Sequence, residues 1–180
     1  MEIENKIPKS CKVVVIGGGV AGCSTAYHLA KFGWKDTVLL ERDVLTSGTT
    51  WHAAGLIGQL GSSATITKLR NYSLNLYKKL EEETGLSTGL KQNGSLTVAT
   101  TSERLEELKR QLTFAQRFDI EAKQVSNEEI KDIYPLINTE DLVGGVFIKK
   151  DGQADPVGVA NVLAKGARQN GATIVEKCPV

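Results

Sequence analysis

Three glycines, Gly17, Gly19 and Gly22, stand in the spacing G-x-G-x-x-G within the run Gly17-Gly18-Gly19-Val20-Ala21-Gly22. Each suits backbone that must come close to another group. Gly17 permits a tight turn, Gly19 lets the main chain approach a pyrophosphate, and Gly22 lets a helix pack closely on a strand. Glu41 follows about twenty residues later, where an acid can accept hydrogen bonds from ribose hydroxyls while its charge repels a 2′-phosphate. A helix opening at Val20 would turn its free N–H groups and partial positive charge towards phosphates. This chemistry is dinucleotide binding, with nicotinamide and flavin dinucleotides both open. A second segment, Thr49-Thr50-Trp51-His52-Ala53-Ala54-Gly55-Leu56, carries one of the chain's 2 histidines. A neutral imidazole is a nucleophile near physiological pH. The other histidine, His28, falls inside the first predicted helix and reads as scaffold.

The elements that must position these residues follow from pattern. Lys12 to Ile16 is a β-branched run stopped by three glycines, which predicts a buried strand. Val20 to Phe32 predicts a helix, with Gly33 as its stop, and Thr37 to Leu40 a second strand. Strand, glycine turn, helix and strand make a βαβ unit with parallel strands and a right-handed crossover. Thr46 to Ser63 reads as a loop too long and too apolar for a plain linker. Thr65 to Glu83 predicts a helix with Ile66, Leu69, Leu76 and Leu80 on one face. Leu96 to Thr100 predicts a strand, and Glu103 to Phe118 an amphipathic helix bearing Leu105, Leu108, Leu112 and Ala115. Ser126 and Glu129 form a capping box for a short helix ending before Pro135. Val143 to Ile148 reads as a strand. Asp155 as N-cap, Pro156 at the first position and Gly171 beyond the end bound the last helix, and Thr173-Ile174-Val175 begins a strand.

Composition removes several classes. The chain has 180 residues, 41% hydrophobic and 24% charged, with a formal net charge of +1. So weak a field gives no reason to expect nucleic acid or an anionic membrane surface as partner. Cys11, Cys23 and Cys178 are too few for a disulfide framework or a four-ligand metal site, and suit reduced thiols in the cytoplasm. No apolar run is long enough to span a bilayer. Lys6, Lys9 and Lys12 precede Val13–Ile16, and Val20-Ala21-Gly22-Cys23 has the look of a lipoprotein cleavage box. The apolar run is too short for an export signal, and Glu2 and Glu4 do not suit a mitochondrial presequence.

The segment Thr49 to Leu56 resembles the flavin-attachment segment of the sarcosine and dimethylglycine dehydrogenases, within the wider amino-acid-oxidase-like group of FAD enzymes. The resemblance extends over nearly the whole chain, through Leu80-Glu81-Glu82-Glu83-Thr84-Gly85, Tyr134-Pro135-Leu136, Asp155-Pro156 and Cys178-Pro179-Val180. It implies FAD as cofactor, bonded through His52 to the 8α-methyl carbon. By the same resemblance Gly48, Thr49, Thr50, Trp51, His52, Ala53, Ala54, Gly55 and Leu56 line the pyrophosphate and isoalloxazine. Val20 and Ala21 place amides at the phosphates, Glu41 and Arg42 flank the adenosine ribose, and the backbone of Val180 meets the adenine.

The implied fold is α/β: a Rossmann-like FAD-binding βαβ unit with the start of an α+β substrate domain, incomplete within this chain. Residues 1–56 form the FAD-binding βαβ unit and attachment loop, and 57–150 an excursion into a substrate domain. Residues 151–180 return with a helix and a third strand. The implied reaction oxidises the N-methyl group of a small amino acid by hydride transfer to flavin. It gives an iminium that hydrolyses to formaldehyde or passes its one-carbon unit to a folate, a step that belongs to a C-terminal domain in many members of the family. No catalytic residue and no metal ligand is assigned within these residues. A noncatalytic, flavoprotein-like regulatory or binding subunit is the rival from another class, and an NAD-binding domain a third reading.

Overall fold

The computed structural model describes residues 7–180, so Glu2, Glu4 and Lys6 lie outside the described residues. The first half runs β1 (Val13–Ile16), α1 (Val20–Lys31), β2 (Thr37–Leu40), one turn of 3₁₀ helix (Thr50–His52), β3 (Leu56–Ile57) and α2 (Ala64–Thr84). Then come β4 (Ser95–Ala99), α3 (Ser102–Gln116), β5 (Ala122–Val125), α4 (Asn127–Ile133) and β6 (Gly144–Ile148). The chain closes with β7 (Gly152–Gln153), α5 (Pro156–Gln169) and β8 (Thr173–Val175). These elements divide into two units. One holds the chain up to Gly55 with Asn75–Leu90 and Ala154–Val180; the other holds Leu56–Leu74 and Lys91–Gln153. The excursion expected over 57–150 is therefore interrupted, because the second half of α2 clusters with the glycine turn's unit.

In the first unit β1, β2 and β8 form a parallel sheet in the order β1-β2-β8, with Val14 opposite Val38 and Val38 opposite Thr173. β2 is central, and Thr37, Val38 and Leu39 are buried. α1 and α5 pack on each other, and each buries small residues: Ala26 and Ala30 on one, Ala160, Ala164 and Gly166 on the other. A Cβ on Gly166 would stand 2.9 Å from the Tyr27 ring, so the missing side chain sets this close helix approach. Tyr27 is fully buried; its hydroxyl donates to Glu83 Oε2 at 2.9 Å and accepts from Lys31 Nζ at 2.6 Å. Burial pushes its phenol pKa up, so the group stays a donor. α5 begins as predicted, with the Asp155 carboxylate accepting from the Val157 amide at 3.1 Å and Pro156 at the start.

In the second unit β4, β6 and β5 form an antiparallel sheet with β6 in the middle. α3 covers the face bearing Val146 and Ile148, packing Leu108 and Ala115 against them. Val125, Ile130 and Leu142 form a second cluster with Phe147 and Val98. Thr101 caps α3 by accepting from Arg104 N, and both halves of the Ser126–Glu129 capping box are present on α4. β3 and β7 make a two-residue antiparallel ladder.

Two local expectations change. β5 was not expected, since its sequence Ala-Lys-Gln-Val has no sustained alternation; pairing along β6 makes it a strand. On α2, Ile66 and Leu69 are exposed, whereas Thr67 is fully buried. The Thr67 hydroxyl accepts from Gly61 N at 3.1 Å and donates to Ser63 O at 2.9 Å, so burial leaves it satisfied.

Candidate functional site: a glycine-turn cleft

The turn between β1 and α1 is held by its own backbone. Gly17 has φ +105°, a conformation that L side chains rarely adopt, and its amide donates to Leu40 O at 2.8 Å. A Cβ on Gly22 would lie 1.9 Å from Gly17 O, so α1 leaves β1 at a separation only glycine permits. Gly18 is equally constrained, since a Cβ there would meet Leu45 Cδ2 at 2.6 Å and Glu41 Cβ at 2.9 Å. Sequence reading gave Gly18 no role; packing against residues more than twenty positions away leaves no local signal.

Glu41, at the end of β2, is buried. Its Oε2 accepts from Gly18 N at 2.6 Å and its Oε1 from Asp43 N at 2.9 Å. The carboxylate thus binds the turn to the strand end. Each oxygen keeps a further lone pair for a hydroxyl donor.

The first amides of a helix have no intrahelical acceptor. In α1 the N-cap is Gly19, which offers no side chain, and Thr50 Oγ1 accepts from Val20 N at 2.9 Å instead. Thr50 is buried, whereas Gly48, Thr49, Trp51, His52, Ala53 and Ala54 around it are exposed. The Trp51 and His52 rings meet edge to face, centroids 3.8 Å apart at 77°. Gly55, at φ +72°, ends the segment: its carbonyl accepts from Ala154 N at 2.8 Å, and a Cβ would fall 2.2 Å from Ala154 O.

Together these residues enclose an open cleft of about 490 Å³. Gly17, Gly18, Gly19, Val20, Ala21, Glu41, Arg42, Ser47, Gly48, Thr49, Thr50 and Ala53 line it. Gly18 and Ser47 are the additions to the sequence-based set. Gly22 lies behind the wall as packing, and Trp51, His52, Ala54, Gly55 and Leu56 lie outside the lining. Val180 is also outside it and is exposed. His28 lies away from the cleft, its Nδ1 2.7 Å from Ser24 O. Cys23, under the turn, donates to Gly18 O at 3.6 Å, and burial pushes its pKa up to about 11. At neutral pH it is a protonated packing group. Among the described residues no group of three His, Cys, Asp or Glu side chains is placed to hold a metal ion. No helix of the described residues is long and apolar enough to cross a membrane.

The donor set fits the pyrophosphate of a dinucleotide. The wall is glycine backbone and a helix N-terminus, and its buried acid stands where a ribose would need an acceptor.

Comparison with known proteins agrees. The chain is 46% identical over 175 residues to human mitochondrial sarcosine dehydrogenase, covering 97% of this chain and 19% of that protein. It is 41% identical over 180 residues to human mitochondrial dimethylglycine dehydrogenase, covering 100% of this chain and 21% of that one. It is also 39% identical over 174 residues to the mitochondrial pyruvate dehydrogenase phosphatase regulatory subunit of Mus musculus, covering 97% of this chain and 20% of that protein. The chain thus spans about a fifth of the length of these relatives. The crystal structure of L-proline dehydrogenase from P. horikoshii superposes with a TM-score of 0.87 at 30% identity, covering 95% of this chain and 45% of that one. The family model described as FAD dependent oxidoreductase matches residues 12–180, and with the glycine turn, the buried Glu41 and the parallel β1-β2-β8 sheet in place the chain belongs to that family.

Proposed function

We propose that this chain is the FAD-binding portion of an enzyme that oxidises the N-methyl group of a small amino acid, of the sarcosine or dimethylglycine type, with its flavin bonded to His52. The observation that carries the reading is the placement of the Trp51-His52 pair. Gly48, Thr49, Thr50 and Ala53 on either side of the pair line the glycine-turn cleft, while the imidazole stays exposed. The intact Thr50-Trp51-His52-Ala53-Ala54-Gly55 segment and the likeness to two N-methyl amino acid dehydrogenases support it.

In this reading the backbone of Gly17 to Ala21 receives the pyrophosphate and Glu41 accepts from the adenosine ribose. Arg42 borders the same side. Bound FAD supplies a two-electron acceptor for the hydride of the substrate's methyl carbon and, at its 8α-methyl, the carbon to which the imidazole nitrogen bonds. With FAD bound, His52 would give a nitrogen lone pair to a bond at that 8α carbon and release its N–H proton. The 8α carbon would release one proton in exchange for the new bond, and dioxygen as external oxidant would take up the two electrons. The oxidised substrate, an iminium, is opened by water to formaldehyde and the demethylated amine, or yields its one-carbon unit to a folate.

Acid precipitation of the full-length protein tests the attachment. Yellow colour is expected to stay with the wild-type pellet and to leave the His52→Ala pellet. Release of all wild-type flavin into the supernatant would falsify the covalent bond. Flavin that bleaches on anaerobic addition of sarcosine or dimethylglycine supports the substrate class. A full-length protein with no visible flavin band points instead to a regulatory subunit.

A further inference from the structure

We propose that Thr50 is the positioning residue for flavin attachment: its hydroxyl, bound to the first amide of α1, sets where His52 stands. The proposal rests on the covalent reading of His52. Thr50 differs from its neighbours in two ways that attachment chemistry by itself does not require. It is buried within an exposed stretch, and its side chain is spent on backbone 30 residues earlier in the chain.

The geometry shows what that contact fixes. The N-cap of α1 is a glycine, so no local side chain can satisfy the Val20 amide, and the capping oxygen comes from the attachment segment. The same Oγ1 stands 3.0 Å from where a Cβ on Gly19 would lie, so the hydroxyl sits directly on the glycine turn. Backbone bonds from His52 N to Thr49 O and from Ala53 N to Thr50 O, both 3.2 Å, close the 3₁₀ turn around it. The far end is clamped at Gly55 by Ala154. His52 therefore lies between two fixed points, two residues from one and three from the other, with its ring held against the Trp51 edge. Bond formation between an imidazole and a bound ring system depends steeply on approach, and small misplacements are costly. A hydroxyl that ties the segment to the turn gives the phosphate end and the attachment end a single reference point.

The test separates attachment from binding. Thr50→Val keeps the branched shape and removes the acceptor, and Thr50→Ser keeps the acceptor. Full-length apoprotein is mixed with FAD in air, and acid-stable flavin is followed against total bound flavin. Losing one hydrogen bond at this point should slow attachment by about tenfold in the valine variant. Total bound flavin should fall by clearly less than the attachment rate, Tm should drop by no more than the loss of one helix cap explains, and the serine variant should attach at near the wild-type rate. A valine variant that attaches as fast as wild type overturns the proposal. So does a parallel loss of total flavin and attachment, which would mark Thr50 as merely structural. If the valine variant does not fold, hydrogen exchange at the Val20 amide decides: protection in wild type and Thr50→Ser supports the bond, and fast exchange in wild type overturns it. A wild-type protein with no acid-stable flavin refutes the His52 attachment itself and this proposal with it, a result the other outcomes do not mimic.

Discussion

Gly22→Ala is expected to strip the protein of flavin and to lower its Tm more than any other single methyl addition in the glycine turn. The added Cβ would sit 1.9 Å from Gly17 O and 3.1 Å from Gly17 C, and both are backbone atoms that no rotamer change can move. Gly17 cannot retreat, because its positive φ and its amide bond to Leu40 O define the turn. Relief requires α1 to lift from β1, which also opens the small-residue contact with α5. Overpacking in a rigid setting costs about 1–3 kcal/mol, and more where the backbone has to give. Against a typical stability of about 5–15 kcal/mol that is a large share. Thermal unfolding and flavin content of the full-length protein check it. Gly48→Ala, with no atom within 4 Å of its Cβ, serves as the stability control and should unfold at the wild-type temperature.

Glu41→Ala is the second large effect expected. Removing the carboxylate leaves the buried amide of Gly18 and the part-buried amide of Asp43 without their acceptors. Hydrogen bonds to a charged group contribute about 1.5–3 kcal/mol each, so the turn loses several kcal/mol of order as well as a ribose acceptor. FAD affinity, measured by fluorescence quenching on apoprotein, should fall by more than about a hundredfold, since every 1.4 kcal/mol is tenfold. Glu41→Gln keeps one acceptor oxygen for two amides and should lie between alanine and wild type. An alanine variant that binds FAD within about threefold of wild type would remove Glu41 from both roles.

How far these residues could be read beforehand depends on the range of the interaction involved. The β1-turn-α1-β2 unit was legible because each cue is local: β-branched Val13–Ile16, the glycine spacing and Gly33 after the helix. The caps at Ser126 and Asp155 were legible for the same reason. The second role of Glu41 was not. An acid at a strand end signals a ribose, but nothing in its neighbourhood says that each oxygen also accepts from a backbone amide. Gly18 has no local cue, because the atoms that exclude its Cβ belong to Leu45 and Glu41. Thr50 read as one member of an attachment motif, and its bond to Val20 depends on how α1 starts. Thr67 carries no apolar cue for burial, yet a hydroxyl with two backbone partners can be buried as deeply as a leucine.

The parallel sheet also governs the order in which the molecule can assemble. β2 meets β1 early, yet its other edge stays bare until Thr173–Val175 has been synthesised, since Val38 pairs with Thr173. Closing so long a loop is entropically slow, and parallel pairing rewards it only at the end. The antiparallel β4-β6-β5 sheet needs only Ser95–Ile148, so it can form first. During that interval the nascent chain carries an apolar strand with one bare edge, Thr37–Leu40, which is a template for wrong partners. Pulse-labelled amide exchange during refolding should show β6 protected before Glu41 N, whose acceptor is Val175 O. Simultaneous protection of the two would mean that both sheets condense in one step. Most of the nucleotide site is thus translated ahead of the antiparallel sheet and acquires its shape after it.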